Sequence, residues 1–390
     1  MGGGAAGYFF AINVSINYPE YEIVILEQGR DTLGKVRVSG GGRCNVTHAC
    51  FDARELVKFY PRGEKEMLGP FHRFSARDTM QWFEERGVKL KIESDNRVFP
   101  VSDSSQSIIR CLEDEALQNG VKVITSSKVM AISMDNPRKV TCSNGLEYDY
   151  DLLFLATGSS KYIWNLLQHH AIDIVEPVPS LFTFHIKDDR LKGLQGLAFD
   201  DVVVISEHGS YSSRGPLLIT HWGMSAPAIL KLSSFESRWM AANKYNFRIV
   251  IDFLPGFNIE QLISMGRSQG GKLVSEKNPF NIPRRYWTKI LEHLSFNKDL
   301  RWADINRDAM DDLVRELKSA SFSVSGKSTF KEEFVSAGGI DLKEIDFKNF
   351  RIKKLNEVYA AGEILNIDAV TGGFNFQAAW TGAFLAAQNI

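Results

Sequence analysis

Gly2, Gly4 and Gly7 stand in the spacing G-x-G-x-x-G at the start of this 390-residue chain, and they constrain its fold more than any other feature. In a nucleotide-binding βαβ unit the first glycine makes the tight turn out of a strand. The second lets the backbone approach a pyrophosphate, and the third lets helix and strand pack closely. The apolar run "EIVILEQG" (22–29) follows, with Glu27 placed 20 residues after Gly7. A short apolar run of that kind reads as a buried parallel strand. A carboxylate at its end suits the two ribose hydroxyls of an adenosine and repels a 2′-phosphate. Turn, strand and acid together predict a dinucleotide site whose pyrophosphate sits on the N-terminus of a helix over 5–17.

The strand that should precede the turn is not there, because only Met1 comes before Gly2. Four buried apolar side chains would supply about 6–12 kcal/mol at the usual rate, comparable to the whole stability of a domain. The expectation is therefore that the sequence starts late, by about one strand.

Further along, "GKVRVSGGGRCNVT" (34–47) reads as a glycine-rich loop with Lys35, Arg37 and Arg43 beside exposed backbone N–H groups. "ATGSS" (156–160) closes another apolar strand. "VYAAGE" begins a third, followed by Glu363, Asp368 and then Gly372-Gly373 opening a closing helix from about 376. A helix start there would face an electron-rich ring or an anion. Each element alone is more often structural. Together they describe one extended ligand touched by both ends of the chain.

Between these ends the periodicity changes. Helical spacing is expected at about 52–60, 76–86 and 102–120, the last with Ser/Asp start and Gly stop signals. Short strands with turns at Asn136-Pro137 and Asn144-Gly145 fill 121–158. Residues 1–180 and 338–390 are assigned to one α/β nucleotide-binding domain, 181–256 and 319–337 to an inserted β-rich domain, and 257–318 to a small helical domain.

These segments resemble a known family. "GGGAAG", "VILEQ", "SGGGRCNVT", "NRVFPVS", "RGPLLITHWGMSAP" and "AGEILNIDAVTGGFNFQAAWTGAFLA" are similar to the BaiN/RdsA-type, or YhiN-like, FAD-dependent flavoproteins, from residue 2 to the C-terminus. The resemblance implies a glutathione-reductase-like FAD-binding Rossmann domain with an inserted antiparallel β-barrel and a helical domain. It implies FAD contacts at Gly2, Gly3, Gly4, Ala5, Ala6, Gly7, Glu27, Gln28, Lys35, Ser39, Gly42, Arg43, Cys44, Asn45, Val129, Ala156, Thr157 and Gly158. On the C-terminal side it implies Gly362, Glu363, Asp368, Gly373, Phe374 and Asn375. One branch of the family is linked to reduction of unsaturated 3-oxo bile acids and another to oxidation of aminoacetone; neither substrate follows from the residues.

The expected function is an FAD-dependent oxidoreductase on a small organic substrate entering between the FAD domain and the β-rich domain. NAD(P)H, if it is the donor, docks transiently at the flavin, since no second G-x-G-x-x-G builds a nicotinamide domain. His221, between an apolar run and a Gly-containing turn, is the acid/base candidate, although a hydrogen-bonded structural histidine is the commoner role. Arg214 and Trp222 are placed in the same substrate wall. Two alternatives stay open: a flavin disulfide reductase using Cys44 and Cys50, and a flavin-binding sensor without turnover. The cysteines are six apart, about 240° around a helix, which points them away from each other there.

A formal charge of −1, from 46 Lys and Arg against 47 Asp and Glu, supplies no global field for nucleic acid. No nucleic-acid partner, membrane association or metal is expected. The basic runs Arg284-Arg285 and Arg351 to Lys354 are read as solvated surface. Four cysteines and no signal sequence suit a reduced, cytoplasmic protein. Nothing in the sequence sets the oligomeric state.

Overall fold

The computed structural model describes all residues except 135, 329–334 and 389. It divides into two compact units, residues 1–178 with 335–390, and residues 179–334.

The first unit is α/β. The helix Ala5–Asn17 is largely apolar and packs against the closing helix Phe374–Ala387, also largely apolar. Phe9 meets Trp380 at 5.1 Å between ring centroids. Strand Val24–Leu26 pairs in parallel with Lys122–Ile124, and Leu153–Leu155 in parallel with Val358–Ala360. Met1 and Gly2 bridge the two pairs. The Met1 amino group donates to the Phe154 carbonyl, the Ala156 N–H to the Met1 carbonyl, and the Gly2 N–H to the Leu26 carbonyl, each at 2.8 Å. Where the sequence left the turn without a strand, these two residues make the mid-sheet connection.

Several sequence readings take a different form. The glycine-rich loop is a helix, Gly34–Gly42, whose backbone leaves the helical path at Ser39, Gly40 and Gly41. A helix at Glu64–Arg73 was not foreseen, because Pro70 lies inside it and masks the pattern. The closing helix begins at Phe374 with Gly373 as its cap, two residues earlier than expected. The small antiparallel excursion is present as Val129–Ser133, Lys139–Cys142 and Glu147–Asp149.

The second unit holds a closed antiparallel barrel. Its strands run, in spatial order, Thr183–Ile186, Gly223–Ser225, Ser212–Ile219, Ala198–Ser206, Asn246–Asp252 and Ala320–Ser328. Asn246–Asp252 shows why: Phe247, Ile249 and Ile251 are buried while Asn246, Arg248 and Val250 face outward, the period-two pattern of a half-buried strand. The helices Ile259–Arg267, Arg284–His293 and Arg307–Lys318 do not build a core of their own. Leu262, Trp287, Trp302 and Leu313 join the cluster formed by Phe184, Val204, Ile249 and Phe322 of the barrel. Residues 329–334 of the expected β segment 319–337 lie outside the described residues.

Candidate functional site

The site in the first unit is made mostly of backbone. At the opening turn, Gly2 (φ +95°) would place a Cβ 2.3 Å from the Ala156 carbonyl oxygen, and Gly7 would place one 2.0 Å from that of Gly2. Neither position admits a side chain. Gly4 differs: a Cβ there meets nothing within 4 Å, so the start of the helix faces open space. Gly4 caps that helix without any side-chain hydrogen bond, so the first N–H groups keep their capacity for an anion.

Glu27 fastens the turn. One carboxylate oxygen accepts from the Gly3 N–H and the other from the Gly29 N–H, both at 2.7 Å. Each oxygen retains a lone pair for a hydroxyl. Gln28 beside it is exposed. Ser127 donates its N–H to the Glu27 carbonyl, which brings the start of the Val129 strand alongside.

The glycine-rich helix adds a second open surface. Cβ atoms on Gly41 and Gly42 would also meet nothing within 4 Å. Asn45 is buried, and its Oδ1 has no hydrogen-bond partner; the Thr157 hydroxyl oxygen is likewise buried and unpartnered. Such orphaned atoms are costly unless a ligand satisfies them.

The closing segment supplies a second uncapped helix start. Gly373 (φ +91°) sits where a Cβ would lie 2.6 Å from the Thr47 backbone, and it offers no side-chain cap. Asn375 closes the preceding loop, accepting from the Ala369 N–H at 2.9 Å and donating to its carbonyl at 3.1 Å. Phe374 stacks on Phe59 at 4.3 Å and on His48 at 4.6 Å. His48 was missed by sequence reading. Its Nδ1 is buried without a partner, and burial lowers its pKa.

The charged residues assigned from sequence have protein partners. Lys35 pairs with Glu363. Arg43 pairs with Glu93 at 2.6 Å and lies 3.9 Å over the Phe99 ring. Asp368 is fully buried and forms a two-pronged pair with Arg62. These side chains are engaged by protein partners. Cys44 and Cys50 are free thiols, and burial pushes Cys44 up to about 12. A redox nucleophile needs the thiolate, so the disulfide-reductase alternative has no support here. His221 and Trp222 lie in the other unit, exposed on the turn between Ser212–Ile219 and Gly223–Ser225. Arg214 pairs with Asp201 at 2.7 Å on an exposed surface.

FAD fits this constellation. Open space at Gly4, Gly41 and Gly42, two uncapped helix starts and two orphaned buried oxygens suit a long anionic ligand with a polar ring. Fold and site thus define a Rossmann-type flavoprotein oxidoreductase. The chain belongs to the HI0933-like family, whose Rossmann domain matches residues 1–389.

Among curated relatives, the ribosomal RNA dihydrouridine synthase of Escherichia coli K12 is 25% identical over 401 residues, covering 100% of this chain and 96% of that protein. The 3-dehydro-bile acid delta(4,6)-reductase of Clostridium scindens is 24% identical, covering 99% and 97%. Among solved structures, 3-ketosteroid-delta4-(5alpha)-dehydrogenase from Rhodococcus jostii RHA1 superposes with a TM-score of 0.51 at 11% identity, covering 99% of this chain and 95% of that one. That likeness concerns the fold. Among the described residues no helix is long and apolar enough to cross a membrane.

Proposed function

We propose that this protein reduces a carbon–carbon double bond conjugated to a carbonyl group, with FAD as the hydride carrier and NAD(P)H as the donor. The observation that carries the cofactor assignment is the opening turn, where Gly2 and Gly7 admit no Cβ while Gly4 opens onto free space, together with the buried, unpartnered Asn45 Oδ1 and Thr157 hydroxyl oxygen in the same unit. FAD, when bound, supplies two-electron hydride chemistry. The Gly2–Gly7 turn would hold its pyrophosphate, Glu27 its ribose hydroxyls, and the Gly41–Asn45 stretch its central region. The Gly373 helix start would favour negative charge on the ring. Val129, Ala156 to Gly158 and the Gly362 backbone would line the remainder.

The substrate class comes from the relatives' names. Dihydrouridine formation and delta(4,6) reduction both saturate a double bond in conjugation with a ring carbonyl. Such a reduction takes a hydride at the β-carbon and a proton at the α-carbon. The protein must therefore hold the carbonyl oxygen and provide one proton.

The test is anaerobic. The purified chain should carry yellow flavin that NADH or NADPH bleaches and a conjugated carbonyl compound restores. Protein that cannot take up FAD would overturn the cofactor assignment; bleached flavin that no conjugated carbonyl reoxidises would overturn the substrate class.

A specific observation favours uracil within RNA as a second reading of the substrate. The helical segment 257–318 carries 11 Lys or Arg against 9 Asp or Glu, a charge of +2 in a chain whose total is −1, with its basic residues gathered between Arg267 and Arg301. Arg267, Lys272, Lys277, Lys298 and Arg301 are exposed, and among the described residues none of the five forms an ion pair. This reading runs against the expectation that nucleic acid plays no part, as does the ribosomal RNA named in the Escherichia coli relative. RNA binding that weakens steeply with salt would support it; binding indifferent to salt would count against it.

A further inference from the structure

The barrel carries a group of side chains that the FAD site does not use. On strand Thr183–Ile186, Phe184 and Ile186 are buried in the core, so His185 between them points outward. The neighbouring strands make room for its ring. On one side His185 is paired with Gly223, whose Cβ would collide with the Phe184 carbonyl oxygen at 2.3 Å. On the other side the register slips: Phe184 faces Lys327 but Ile186 faces Val324, a bulge centred on His185. Gly326 lies in that bulge, and a Cβ on it would sit 3.4 Å from His185 Nδ1. Gly223 and Gly326 have φ near +152° and +147°, a backbone that side chains disfavour. Bulges and strand glycines mark close approach or a re-aimed side chain more often than defects.

Two partners flank the ring. His185 Nε2 hydrogen-bonds the Ser328 hydroxyl. Trp222 lies with its ring centroid 5.8 Å away at an interplanar angle of 26°, yet it remains 61% exposed. An indole so exposed, next to a histidine held by a serine, gains little for the fold. Thr183 and Ser225 bond each other at 2.9 Å, so the adjacent polar groups are already satisfied.

We propose that His185, Ser328 and Trp222 form a binding site for a flat, conjugated ring bearing a carbonyl group. The indole supplies a stacking face. With His185 donating from Nε2 to the Ser328 oxygen, the Ser328 O–H is free to donate to the ligand's carbonyl oxygen. The ligand class rests on the function proposed above, while the site itself rests on the barrel geometry. A pyrimidine dione and a cyclic enone share the required chemistry.

The experiment titrates the holoprotein with uridine and, separately, with 4-androstene-3,17-dione, following tryptophan fluorescence. Saturable quenching by either compound is expected, and the quenching should disappear in Trp222→Phe. Affinity should fall about tenfold or more in Ser328→Ala and His185→Gln and recover in Ser328→Thr. Quenching by uridine alone identifies a nucleobase site, and by the steroid alone an apolar enone site. No saturable quenching by either compound, or unchanged affinity in both Ser328→Ala and His185→Gln, would overturn the proposal. Flavin absorbance and its bleaching by NADPH, read on the same samples, separate the two readings. Bleaching without ring binding removes this site alone; ring binding to colourless protein removes the FAD assignment alone.

Discussion

At Gly2 and Gly7 one added methyl group would collide with backbone, whereas on the barrel a whole indole at Trp222 stands in solvent. The two regions build sites from different materials. The first unit uses backbone: glycines that exclude side chains, helix starts without caps, and charges such as Asp368 and Arg62 spent on each other. The site proposed on the second uses side chains on a closed barrel, aimed by a bulge. A backbone site fails by collision when altered; a side-chain site on an outer face fails only in what it binds.

The largest expected effect follows from that contrast. Gly7→Ala puts a Cβ 2.0 Å from the Gly2 carbonyl oxygen and should destabilise the first unit by about 3 kcal/mol or more, measured by denaturant unfolding. Gly4→Ala, with nothing within 4 Å of its Cβ, should leave the unfolding midpoint in place and weaken FAD binding about tenfold, read by FAD titration. A Gly4→Ala protein that binds FAD like the wild type would move the pyrophosphate away from that helix.

Next in size is the buried ion pair. Arg62→Met leaves the carboxylate of Asp368, which is 0% exposed, without its main partner, and should cost about 3–5 kcal/mol in thermal or chemical unfolding. The barrel counterpart sharpens the comparison: Arg214→Ala, on the exposed pair with Asp201, should leave the midpoint unchanged.

The thiols give a smaller, kinetic effect. Burial pushes Cys44 and Cys111 from 9.0 up to about 12. At pH 8 roughly one in 10⁴ of either is thiolate. A thiol reagent should label the half-buried Cys50 first and reach Cys44 only on unfolding, as followed by mass spectrometry. The sign of the pH dependence follows as well. Between pH 9 and 12 the unfolded thiols lose protons that the folded ones keep, so stability falls as pH rises through that range. Rapid labelling of Cys44 in the native state would reopen the disulfide chemistry.

Much of the first unit was legible because its determinants are local. The glycine spacing, the acid at Glu27 and the Gly372-Gly373 start each sit within one turn or strand, and a period of 2 or 3.6 needs no partner to be recognised. The Glu64–Arg73 helix was not legible, because Pro70 argues against a helix that tertiary packing of Met67 and Phe71 nevertheless holds. His48 was hidden for another reason. Its significance lies in stacking on Phe374, 326 residues away, and no local pattern carries that contact.

The sequence by itself determined the Rossmann architecture and the β-rich character of the insertion, and it pointed to a dinucleotide site at the Gly2–Gly7 turn. These follow from backbone sterics and residue period, which act over a few positions. Only the tertiary structure decided which charges are free. Lys35, Glu363, Arg43 and Asp368, read as ligand contacts, each have a protein partner here; of these pairs only Arg62–Asp368 is deeply buried, where an unpaired charge would be costly, while the Lys35 side chain stays 57% exposed. It also decided that His185, rather than His221, stands beside a serine and an indole, since that depends on strand register and a bulge between residues 143 positions apart.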